Sequence, residues 1–205
     1  MEKALASVIF TCFLCLTSCV PSLNPIYTEQ DVVFDATLLG PWTDQESSET
    51  WDFTSDGDKA YKLVYTDDDG KKGEFKAHLF KIADETYLDL EPVKAAAPQN
   101  DFHKGHIITV HTFVRIAREA KGFRVFYLEP KWLKEFLEKD PSAVTHVMFQ
   151  GEILLTDSTR NLQKFIAAQA SRKGAFSDSI SVKRKEKGAT KGISVMRRQE
   201  KKLAF

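Results

Sequence analysis

The chain has 205 residues, 42% hydrophobic and 28% charged, with 15 Phe and a formal net charge of zero. That size and balance suit one globular domain with a real core, and exclude a chain too polar to bury one. The zero hides a split, because residues 172–205 carry 11 Lys/Arg against 3 Asp/Glu, so an acidic body trails a basic end.

All three cysteines, Cys12, Cys15 and Cys19, fall in the first 19 residues. Residues 4–16, ALASVIFTCFLCL, are apolar and uncharged and follow Lys3. This is the pattern of a secretory signal, a positive start and an apolar run of about 7–15 residues before small residues. A retained membrane helix is the second reading. Extended to Val20 it would span about 25 Å, against a hydrocarbon core of about 30 Å, and Pro21 follows with no basic cluster. Cys12-x-x-Cys15 has redox or metal spacing, but it sits inside the apolar run with no histidine nearby.

Leu16-Thr17-Ser18-Cys19 resembles the bacterial lipobox, a Leu, two small residues and a Cys. The resemblance implies diacylglycerol transfer to the Cys19 thiol, cleavage after Ser18 and acylation of the new amino terminus. Acyl chains contribute about 0.8 kcal/mol per buried CH₂, so several together anchor permanently. A eukaryotic secretory peptide with incidental cysteines is the alternative. In Gram-negative lipoproteins an Asp after the cysteine resembles an inner-membrane retention signal. Val20 stands there instead, which implies a bacterial envelope protein on the outer membrane, facing the periplasm. With residues 1–18 removed, one cysteine remains and no intramolecular disulfide can form.

Residues 19–33 hold two prolines and no periodic pattern, and are expected to be a lipid-anchored tether. A β domain is expected over 34–184. Trp51 and Phe53, then Tyr61, Leu63 and Tyr65, then Phe75, Ala77 and Leu79, and finally Phe123, Val125 and Tyr127 recur at period two. Asp56-Gly57 and Asp69-Gly70 suit tight hairpins. Short strands joined by turns predict a mainly β (β+α) fold, an antiparallel meander or barrel. Two short helices come late. KWLKEFLEK at 131–139 puts Trp132, Leu133, Phe136 and Leu137 on one stripe and stops before Pro141. Asp157 or Ser158 caps a second helix, to about Ala170, with Leu162, Phe165 and Ile166 inward. A last strand is expected over 179–184, and residues 185–205 form a basic tail expected to be disordered.

Chemistry-bearing clusters are few. Asp67-Asp68-Asp69-Gly70 fails the calcium-loop pattern, because Tyr65 falls where the first acidic ligand belongs; a turn is expected. His103, His106 and His111, with Asp101, are candidate metal ligands, but Gly105 puts the first two in a loop and the third in a strand. No metal and no cofactor is expected. In that strand His111, Phe113, Arg115 and Ala117 share one face. Turned inward, His111 and Arg115 would need an acidic partner or an anionic ligand, and a structural salt bridge is the expectation. No G-x-S-x-G, H-E-x-x-H, Walker or G-x-G-x-x-G pattern occurs. The basic tail suits anionic lipid or lipopolysaccharide, or a solvated end folding back on the acidic body; it lacks aromatics for nucleic-acid stacking.

The stretch Phe34-Asp-Ala-Thr-Leu-Leu-Gly-Pro-Trp42, followed by strand after strand, resembles the G-x-W entry of lipocalin-like barrels. There the Trp closes the barrel floor. The wider layout, with H-T-F-V-R-I and a W-L-K helix, resembles uncharacterised bacterial lipoproteins, which imply no activity. A filled barrel and a ligand cup both fit. Trp42, His111 and Arg115 are the candidate ligand contacts. The first functional expectation is a lipid-anchored envelope protein with a binding or structural role. The second is a lipocalin-like carrier of a small apolar or amphipathic ligand, and the third an envelope hydrolase.

Overall fold

The first hairpins follow from side-chain alternation. In β3 (Thr50–Ser55) Trp51 and Phe53 are buried while Asp52 and Thr54 are exposed; in β4 (Tyr61–Thr66) Tyr61 and Leu63 are buried beside exposed Lys62. One face must therefore turn inward, and register follows. The computed structural model describes residues 19–93, 107–176 and 180–185. The strand β2 (Gly40–Asp44) precedes these, and β5 (Lys72–Ile82), β6 (Glu85–Pro92), β7 (His111–Glu119), β8 (Gly122–Tyr127) and β11 (Ile180–Arg184) follow.

The strands pair antiparallel in the order β2-β3-β4-β5-β6-β7-β8-β11, and β11 returns to β2. Eight strands thus close a barrel, and closure removes the open edges. The expected mainly β, lipocalin-like architecture stands. Gly57 and Gly70 carry the two hairpin turns at φ 82° and 80°, a region a side chain resists. The acidic run serves the second turn. Asp67 accepts from the Lys71 amide at 2.8 Å, and Asp68 accepts from the Ser48 amide at 2.7 Å.

The barrel interior is built from Leu38, Phe53, Tyr61, Leu63, Leu79, Leu88, Ile116, Phe123 and Val182, all buried. Burial of each such side chain contributes about 1.5–3 kcal/mol. A second core lies outside the wall of β5–β7. It is covered by α1 (Pro130–Lys139), α2 (Thr159–Gln169) and a hairpin of β9 (His146–Phe149) and β10 (Glu152–Leu155). Leu133 and Leu137 of α1 and Leu162, Phe165 and Ile166 of α2 meet Phe80, Tyr87 and Phe113 there. Ser158 caps α2, accepting from the Asn161 amide at 3.4 Å. The last strand begins at Ile180.

The expected tether is corrected by its packing. Val20 is buried, β1 (Pro21–Ser22) pairs with both β7 and β10, and Ile26 is fully buried in the second core. Gln163 of α2 donates to the Ile26 carbonyl at 3.0 Å and to the Asp31 carboxylate at 2.7 Å. Aperiodic sequence reads as slack, yet single apolar residues and backbone pairing suffice to seat it. Residues 186–205, most of the basic tail, lie outside the described residues, as do His103, His106 and Asp101.

Candidate functional site: the barrel mouth

The two ends of the barrel differ. At the floor, a 3-10 turn (Ala36–Leu38), capped by the Asp35 carboxylate accepting from the Thr37 amide at 2.8 Å, plugs the opening. The Trp42 Nε1–H donates to the Leu38 carbonyl at 2.8 Å, and its ring meets Phe123 edge-on at 5.0 Å. Arg184, the last residue of β11, lies over the Trp42 indole at 4.3 Å and donates to the Leu39 and Thr37 carbonyls. Trp42 is therefore part of the floor and not a ligand contact at the mouth.

At the other end the packing stops short. A cavity of about 610 Å³ is lined by Trp51, Leu63, Tyr65, Phe75, Leu90, Val114 and Ile180, with Thr112, Tyr127, Glu49, Glu129 and Cys19 at its polar margin. The lining comes from inward positions of β3, β4, β5, β6, β7, β8 and β11. Trp51 and Tyr65 stand opposite each other in register, edge to face at 5.5 Å. Trp51 is 3% exposed, yet among the described residues its Nε1–H has no hydrogen-bond partner. Such a buried donor costs about 1–3 kcal/mol if left unpaired.

The margin is acidic. Burial, with Asp68, Asp44 and Asp67 nearby, holds the Glu49 carboxyl above its ordinary value, although the hydrogen bond from the Tyr65 hydroxyl opposes this. Burial also raises Tyr65 and Tyr127 well beyond ordinary phenols, so both stay neutral. Burial likewise pushes the Cys19 thiol up. Among the described residues lining the cavity there is no Lys, Arg or His.

His111 and Arg115 do not reach this cavity. Both lie on the outer face of β7, under the second layer. The His111 Nδ1 meets the Asp89 carboxylate at 2.7 Å, and the other Asp89 oxygen accepts from the Ile26 amide at 3.2 Å. Burial disfavours the His111 imidazolium, but the hydrogen bond and charge of Asp89 and the charge of Glu91 outweigh it and raise its pKa. Arg115 donates to the Ala170 carbonyl at 2.9 Å, faces Glu85 at 3.8 Å, and is sandwiched by Phe126 and Phe176 at 4.6 and 4.8 Å. Each has an acidic partner on the neighbouring strand β6, and the Ala170 carbonyl and Ile26 amide extend the two ties to the second layer. Among the described residues no group of three His, Cys, Asp or Glu side chains could hold a metal ion.

Sequence reasoning missed most of the mouth. Glu49, Thr112 and Glu129 sit at strand and helix ends, where nothing in the local pattern marks them. Trp51 and Tyr65 were legible as inward-facing, but not as lining a void. The fold defines the class, an eight-stranded antiparallel barrel closed at one end and hollow at the other. Compared with protein families, curated proteins and solved structures, the chain matches none.

Proposed function

We propose that this protein is a lipid-anchored cell-envelope binding protein, whose barrel mouth holds a small apolar or amphipathic ligand. The observation that carries the reading is the cavity of about 610 Å³ walled by aromatic and aliphatic side chains, within the about 300–1,000 Å³ range of small-molecule sites. Its chemistry narrows the ligand. The apolar wall takes a chain or ring system, and the Trp51 Nε1–H calls for an acceptor such as a carbonyl or hydroxyl. Glu49 and Glu129 at the margin disfavour an anionic head group and favour a neutral or cationic one. The role is binding and not catalysis, and needs no cofactor.

The anchor rests on the sequence Leu16-Thr17-Ser18-Cys19, and with it the envelope location. Native mass spectrometry of the protein purified from membranes is expected to show a bound small molecule in addition to the Cys19 lipid. A protein that arrives empty, and that binds neither neutral nor cationic amphiphiles in titration, would sink the carrier reading. Separately, Cys19→Ala is expected to abolish the lipid-modified N-terminal peptide; an unmodified Cys19 in the wild type would end the anchor reading.

A further inference from the structure

Cys19 lines two cavities at once, the barrel mouth and a shallower depression of about 230 Å³ on the outside. The second is bordered by Val20, Lys131, Lys134, Met148 and Ile153, with Glu152 as its carboxylate. Over its rim runs β9, where Val147, Met148 and Phe149 are 48%, 58% and 59% exposed. Among the described residues β9 pairs with β10 alone, so its other edge is open. Three consecutive exposed apolar residues on an open edge strand are an aggregation liability unless something covers them.

The position of Cys19 says what does. Val20 is 5% exposed, and Pro21 and Ser22 are already paired with Thr112 and His111 of β7. A lipid on Cys19 therefore has no slack between itself and the folded sheet. The bilayer must lie against whatever surrounds Cys19, and what surrounds it is an apolar strand edge flanked by two lysines. We infer that the open edge of β9, which carries Met148 on the side of Lys131 and Lys134 and Val147 and Phe149 on the other, is together with those lysines a membrane-docking surface, seated on anionic lipid. The apolar residues enter the boundary between head groups and acyl chains, and the lysines meet phosphates at the surface. Because Cys19 also borders the barrel mouth, this orientation holds the mouth beside the bilayer, and an amphipathic ligand passes between membrane and cavity without crossing bulk water.

The inference rests on the proposed lipidation of Cys19, and its test separates the two. Met148→Cys is made in the full protein, purified in its membrane form, labelled with an environment-sensitive fluorophore and reconstituted into vesicles of phosphatidylethanolamine and phosphatidylglycerol. Lys59→Cys, on the exposed turn at the floor end, is the reference. The label at 148 is expected to shift to the blue and be quenched several-fold more by nitroxide-bearing lipids than the label at 59. Lys131→Glu with Lys134→Glu is expected to lose most of that difference. Equal quenching at both positions on a protein whose N-terminal peptide carries lipid would overturn the docking face alone. Quenching at 148 with an unmodified Cys19 would uphold the face and overturn the anchor. A label at 148 that is equally shielded without lipid would assign the edge to a second copy of the chain and overturn the membrane assignment.

Discussion

The Arg184 guanidinium lies over the Trp42 indole at 4.3 Å, and its two terminal nitrogens reach carbonyls of the floor turn. The first and last strands of the barrel are thereby locked where they pair, Arg184 opposite Trp42. Gly40 makes room for this, since a Cβ there would stand 2.6 Å from the guanidinium, and its φ of 101° also favours glycine.

Arg184→Ala is expected to destabilise the barrel by about 1–3 kcal/mol, the sum of an exposed cation–π contact and charge-assisted hydrogen bonds. Arg184→Lys restores only part of this, because a point charge cannot serve both carbonyls while lying flat on the ring. Chemical denaturation of the two variants checks the order.

Filling the mouth should remove binding without unfolding the protein. Thr112 lines the cavity from β7 and is only half-buried, so Thr112→Trp places an indole in open volume and not in packed core. The expected outcome is loss of titratable binding of a neutral fluorescent amphiphile, with a thermal midpoint close to wild type. A variant that binds as before would move the site elsewhere.

The Asp89–His111 pair predicts a pH dependence with a definite sign. The His111 pKa is raised in the fold, so its stabilisation is complete below the unfolded value of about 6.5 and is lost as pH rises through the folded value. His78, on β5 against the Tyr27 ring at 4.3 Å, is shifted downward by burial and by Lys76. It is neutral in both states at higher pH, so it acts only below about 6.5. Thermal midpoints measured upward from that pH should fall in the wild type and stay flat in His111→Asn.

Asp89→Ala is expected to cost about 3–5 kcal/mol, the usual loss on breaking a buried ion pair. It also strips the Ile26 amide of its acceptor. Hydrogen exchange should then rise first across residues 20–33, while the strands nearest the floor keep their protection. Uniform loss across the barrel would contradict the local role.

Asp157 accepts from the Thr145 amide at 3.0 Å, the Ser158 amide at 2.7 Å and the Asn161 side chain at 2.8 Å. The hydrogen bond from Thr145 leads in holding its carboxyl down at about 2. That stabilisation is present above the unfolded value of about 3.9 and is lost as pH falls toward 2. Asp157→Ala should therefore lower stability at neutral pH by about 1 kcal/mol, the order of a net hydrogen-bond contribution, and leave the stability at strongly acid pH unchanged.

By itself the sequence determined the barrel strands with clean alternation, the Asp-Gly turns and both helices. Each of these is local, a period of two or 3.6, or a turn needing glycine. Three elements escaped it. In β6, Leu88 and Leu90 face the barrel while Tyr87 and Asp89 are buried under the second layer, so covering both faces erased the alternation. The β9–β10 hairpin is four residues a side around Gln150-Gly151, too short for a pattern to stand out. The segment 20–33 has no period at all. Only the tertiary structure decided which end of the barrel is filled, that Arg184 caps the floor, that Asp89 meets His111, and that Cys19 has no slack before the sheet. A cavity is a deficit in the summed volume of side chains from seven strands. No single stretch of chain carries that sum, and it exists only once the strands have closed.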